Sequence, residues 1–177
     1  AGGTAKFDGT HNGSGKLSLA SGAVTGSGTA SFSTLDWSGG NVNASIRSSG
    51  NAAIGGGAKG LAGELSLAGQ TTWDGSTISA NGNGKIKNEA GAVFSTNADG
   101  TITNGGSAIF VNQGTFNKSG GSNGATQILA HFENSGTVNV NSGKLQLSGG
   151  GKGAANSAFV VAAGGELEIN ADLELTV

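Results

Sequence analysis

Residues 104–149 read NGGSAIFVNQGTFNKSGGSNGATQILAHFENSGTVNVNSGKLQLSG. Short apolar pairs, Ile109 with Val111, Val138 with Val140 and Leu145 with Leu147, recur at period two, which places each pair on one face of a short strand. Gly, Asn and Ser cluster between them, the residues that tolerate positive φ and mark turns. Nothing in the stretch has helical spacing. FVNQGTF from Phe110 and FENSGTV from Phe132 are two versions of one phrase, so the chain repeats a unit.

Working outward, the phrase GKLSL at Gly15 returns as GELSL at Gly63, GKLQL at Gly143 and GELEI at Gly165. Those starts lie 48, 80 and 22 residues apart, and each interval suits a whole number of coils of about 16 to 25 residues. A second phrase pairs Trp with Asp and a Gly turn: FSTLDWSGG from Phe32 and GQTTWDGS from Gly69. Residues 84–103 add two further rungs around Ile86, Val93, Phe94 and Ile102. Residues 1–14 hold one large apolar residue, Phe7, and read as a loose or edge strand.

Composition agrees. The 177 residues make one domain's worth of chain, and 36 are Gly, about three times the usual share. There is no Pro, which suits a fold in which nearly every backbone N–H is claimed by a neighbouring strand. Charged residues are 11% of the chain, too few for a typical disordered segment. The expected architecture is all-β: a single-domain parallel β-helix, or β-solenoid, of about 8 coils, roughly 35 to 40 Å long. Residues 1–166 form the solenoid and 167–177 a C-terminal strand. Asn, Ser and Thr are expected to stack as hydrogen-bonding ladders along the axis.

Several function classes fall away. A net charge of −2 with nine scattered Lys and Arg offers no patch for nucleic acid. No apolar run approaches the ~20 residues of a membrane-spanning helix, so no membrane insertion is expected. The chain lacks Cys and therefore disulfides and Cys-based zinc sites. His11 and His131 lack metal-ligand spacing, and no cofactor motif is present. The opening AGGTA looks like a chain trimmed after a small-residue cleavage site, which favours export.

The sequence from about Gly15 to Asn170 resembles the Gly/Asn-rich β-solenoid passenger repeats of bacterial secreted and surface proteins of the adhesin and autotransporter-like class. The carrying residues are SGAVTGSGTASF from Ser21, LDWSGG from Leu35, IKNEAGAVF from Ile86, GTFNKSGG from Gly114, FENSGTVNVNSGKLQLSGGG from Phe132 and FVVAAGGELEI from Phe159. The resemblance implies export, a rod-shaped scaffold and no chemistry of its own.

From Leu167 to Val177 every odd position is apolar (Leu167, Ile169, Ala171, Leu173, Leu175, Val177) and the even ones are polar or acidic. This alternation has two readings. It bends at 170–172 into two rungs, or it projects and adds to another subunit's sheet as a donated strand. Both ends read as uncapped strands, which favours donation and end-to-end association. Lys6 and Lys16 near the start face Glu166, Glu168, Asp172 and Glu174 near the end as a weakly basic head and an acidic tail.

The expected function is therefore a structural subunit of an extracellular fibre, a biofilm matrix or surface filament, that polymerises with itself head to tail by sheet continuation and strand exchange. Leu167, Ile169, Leu173, Leu175 and Val177 form one side of the joint, and Phe7 and Leu17 the other. The runner-up is an adhesin module that binds glycans or surfaces through Trp37 and Trp73, although core stacking is the plainer role for both indoles. A polysaccharide-active enzyme using Asp36 and Asp74 comes last, because two carboxylates without a supporting constellation are usually turn or surface residues.

Overall fold

The computed structural model describes residues 2–121 and 124–176. They form an all-β, parallel β-solenoid of about 8 turns in which each coil contributes a short strand to each of three faces. The first face runs from Thr4–Lys6 through Ala23–Thr25, Gly40–Val42 and Lys59–Leu61 to residues 167–169. The second is a nine-stranded sheet from Thr10–Asn12 to Leu173–Leu175. The third runs from Lys16–Leu19 through Thr34–Trp37, Ala52–Ile54 and Gln70–Trp73 to residues 158–161. The strands Thr137–Leu147 and Ala158–Ile169 turn a corner unbroken and so belong to both the first and third faces.

Coil length varies from 16 residues, Thr29 to its partner Ser45, to 26, Gly100 to Thr126. The variation is absorbed at the corners, which leaves the strands in register. Interior positions consequently form columns. Leu19, Trp37, Ile54, Trp73, Thr96, Lys118, Val140 and Val161 follow one another along the third face. The middle of the core is aromatic: Phe94 stacks on Phe116 at 5.4 Å, Phe110 stacks on Phe132 at 5.5 Å, and the two stacks meet edge to face.

Polar residues that enter the interior do so as ladders or with partners, because a buried amide without a hydrogen bond costs stability. Asn88 donates to Asn112 at 2.7 Å and Asn112 to Asn134 at 2.8 Å, and all three are buried. Lys59 and Lys118, both buried, turn their ammonium groups onto corner carbonyls: Lys59 onto those of Gly55 and Gly57, Lys118 onto that of Ala98 with Asp99 beside it. Outside, Gln127 donates to Gln146 and Gln146 to Glu168, while Arg47 spans two rungs to grip Glu89 with two hydrogen bonds of 2.8 Å.

Several expectations are corrected. Residues 84–103 make one coil: Ile86 lies on the second face, Phe94 on the third and Ile102 on the first. Ile109 and Val111 do share one face, the outer one, because Phe110 and Asn112 take the interior positions. The four Leu phrases lie on all three faces: Leu17 on the third, Leu65 on the second, Leu145 and Leu167 on the first. They mark a strand, and only the last interval of 22 residues is one coil.

The C-terminal alternation takes its bent form. Leu167 and Ile169 pair with Leu145 and Leu147, the chain turns over 170–172, and Leu173 and Leu175 pair with Gly151 and Gly153. Asn170 N–H donates to the Leu147 carbonyl and Asp172's carbonyl accepts from Gly151, so the bend is tied into the stack. Within this chain the segment is two rungs of its own solenoid and no projecting strand.

Candidate functional site

The two ends of the stack concentrate what the interior columns leave uncovered. In the first coil Thr4–Lys6 and Thr10–Asn12 are exposed throughout. Phe7 is partly buried, edge-on to Phe32 at 6.0 Å and to His11 at 5.1 Å, and Leu17 is partly buried over Leu35. His11 heads an interior column, since its register partner Ala30 is fully buried.

The last coil is more apolar. Val161 continues the Val140 column yet is 46% exposed, and Ile169 and Leu175 are 46% and 55% exposed although both continue interior columns. Phe159, Leu167 and Leu173 are partly buried beside them. A residue on an interior column becomes exposed only where no further rung covers it. The residues expected at a joint, Leu167, Ile169, Leu173 and Leu175, thus lie together in the last described coil, and Phe7 and Leu17 in the first; Val177 lies outside the described residues. Phe159 and Val161, exposed or partly buried beside them, were missed because they sit about six to eight residues before the conspicuous alternation.

Charge at the ends is more local than the sequence suggests. Lys144 pairs with Glu166 at 2.8 Å and Glu168 at 2.9 Å; these two carboxylates push its ammonium up to about 12. Lys144, then Gln146, in turn hold Glu168 down to about 2. Lys6 pairs with Asp8 at 2.6 Å, and Lys6 with Ser27 holds that carboxyl below its ordinary range. Lys16 pairs with Asp36 at 2.9 Å. Asp172 and Glu174 are the acids left at the final turn.

Trp37 and Trp73 stack in one interior column with Ile54 between them, at 0% and 1% exposure. Their indole N–H groups donate to the carbonyls of Gly40 and Ser76. A sugar has no ring face to stack on at either position, so the glycan platform is withdrawn and the core role stands. Both indoles face inward because they alternate with outward Asp36 and Thr72.

Asp36 and Asp74 line one groove of about 640 Å3 beside the third face, with Ala53, Gly55, Asn97, Asn117 and Asn141 also in its lining. Asp36 holds Lys16. Burial works against ionisation of Asp74, but hydrogen bonds from Ser76 and Gly56 outweigh it and keep the carboxyl below its ordinary range. Asp74 is thus a turn-capping anion, with its lone pairs turned to backbone N–H groups. Among the described residues no three His, Asp or Glu converge as metal ligands, and no helix is long and apolar enough to cross a membrane.

No protein-family model, no curated protein and no solved structure matches this chain. The geometry alone carries the functional reading.

Proposed function

We propose that this chain is a structural subunit of an extracellular fibre, assembling with itself head to tail by continuation of its β-sheets. The observation that supports this most is the last described coil, where Val161, Ile169 and Leu175 stand on interior columns yet are about half exposed. Such a coil carries both apolar surface and a row of unpaired backbone donors and acceptors, the combination that templates addition of another strand. Strand exchange is not required for this: residues 167–176 already form rungs, and the last coil docks as it stands. A contact between two different ends does not close on itself and generates a filament.

Val161→Lys with Leu175→Lys tests the reading. Both side chains are about half exposed in the single chain, so the fold tolerates them, whereas a buried ammonium at the joint does not pair. Light scattering of the unsubstituted chain should grow with concentration and time, and the double variant should stay monomeric. Equal scattering from both would sink the proposal. The adhesive alternative rests on the groove lined by Asn97, Asn117 and Asn141, whose amides suit a polar chain lying along the axis; glycan binding by the monomeric variant would favour it.

A further inference from the structure

The groove beside the third face lies on the side of the stack, so what it binds is independent of head-to-tail assembly. Its lining steps along the axis. Asp36, Ala53, Thr72, Ser95 and Asn117 are register partners on five successive rungs, each in the outward phase of its strand. At about 4.8 Å per rung they extend over about 19 Å, and Asn141 carries the lining one rung further.

Three features select the occupant. The first is charge. Asp36 and Asp74 are the charged residues of the lining, no Lys or Arg among the described residues belongs to it, and from Ser95 onward it is uncharged. A polyanion finds no counter-charge there. The second is the backbone. Each strand that carries the lining is hydrogen-bonded to a rung on either side, so it offers no free edge on which a peptide could add as a further strand. The third is hydrogen-bonding capacity left over by the fold. Asn117 Oδ1 accepts from the Asn139 amide at 2.9 Å, which leaves Asn117 Nδ2 without a partner among the described residues. The exposed Asn97 side chain has none either, and Asn141 donates to Ser119 Oγ at 3.2 Å while its own oxygen stays open. An amide presents donors and an acceptor together, and so does a sugar hydroxyl.

The geometry points to a binding groove for a neutral, linear polysaccharide lying along the solenoid axis. A pyranose in an extended chain advances by about the spacing of one rung, so successive sugars meet successive rungs. The one ring in the lining, Trp73, is 1% exposed and offers no face for stacking. Each sugar is therefore held by hydrogen bonds alone, and affinity accumulates with the number of rungs engaged. Long chains bind where their short oligosaccharides do not.

Native gels cast with hydroxyethyl cellulose, glucomannan or glycol chitin, beside gels with polygalacturonate and a blank, test this. At least one of the three neutral polymers should retard the chain, and polygalacturonate should not. Asn97→Ala with Asn117→Ala removes both open amides from surface positions and should weaken the retardation about ten- to thirty-fold. Ala53→Arg, at an exposed position, fills the groove with bulk and should weaken it as well. Lys87→Ala, outward on the second face, should leave it unchanged. Melting curves matching the unsubstituted chain confirm that each variant is folded. No retardation by any neutral polymer, stronger retardation by polygalacturonate, or undiminished retardation of both groove variants would each overturn the proposal. Light scattering of the same samples reads assembly separately, and its absence would leave the groove standing.

Discussion

Asn112→Ala tests how the stack tolerates polar side chains in its interior. Asn112 is fully buried and makes three hydrogen bonds: it accepts from Asn88 at 2.7 Å and donates to Asn134 at 2.8 Å and to the Thr137 carbonyl at 3.1 Å. At about 1 kcal/mol net for each, the substitution should cost about 3 kcal/mol. For a chain of this size that lowers the melting temperature by about 6 to 12 °C. Asn88 stands at the end of the same ladder, next to Leu67, and its Oδ1 is buried without a partner. Asn88→Leu loses two donated bonds and leaves Asn112 Oδ1 without its donor, but it removes one orphan acceptor and extends an apolar neighbour, so it should cost about 2 kcal/mol, less than Asn112→Ala. Urea unfolding at pH 7 followed by circular dichroism reads both. A cost for Asn88→Leu equal to or above that of Asn112→Ala would refute the reasoning, because the ladder would then owe nothing to continuous hydrogen bonding.

Trp73→Ala should destabilise by about 3 to 5 kcal/mol, since it removes a buried indole packed 6.1 Å from Phe94 and its bond to Ser76; calorimetry checks it, and a small loss would mean the corner collapses to fill the space. The Lys144–Glu168 pair gives the last coil a pH dependence. Because the folded value of Glu168 is depressed, its contribution is present above the ordinary carboxylate range and is lost as pH falls from about 4.3 towards 2. Hydrogen exchange over residues 158–169 should therefore accelerate through that window, and Glu168→Gln should flatten the response. Gly75→Ala should destabilise the corner after Trp73, because φ is +86° there and an added Cβ would fall 2.2 Å from the Asp99 carbonyl oxygen; an unchanged melting temperature would show that the corner moves freely.

The solenoid was legible because period-two alternation and Gly-rich corners both repeat, and two paired phrases gave a true register: Phe110 lies over Phe132, and Trp37 and Trp73 share a column. The Leu phrases misled, since any strand of any face needs two inward apolar residues and the same five letters serve all three. Ile109 and Val111 share a face as expected, but alternation gives two faces without saying which is inside; the ring of Phe110, stacked on Phe132, decides it. The burial of Lys59 and Lys118 was not foreseen, although each stands two residues from a buried apolar neighbour, Leu61 and Phe116, in the inward phase of its strand. Their burial depends on corner carbonyls brought near by neighbouring coils and loops, which the pattern of a single strand does not contain. At the C-terminal alternation the sequence left two readings open, because the bend at 170–172 is set by backbone bonds to Leu147 and Gly151, remote in sequence.

Electron microscopy of the purified chain, with no ligand added, tests end-to-end assembly most directly. The account predicts thin, unbranched filaments far longer than the stack length of one chain, about 8 turns. Discrete rods of about that length at every concentration, with the apolar end of Val161, Ile169 and Leu175 left free in solution, would contradict it.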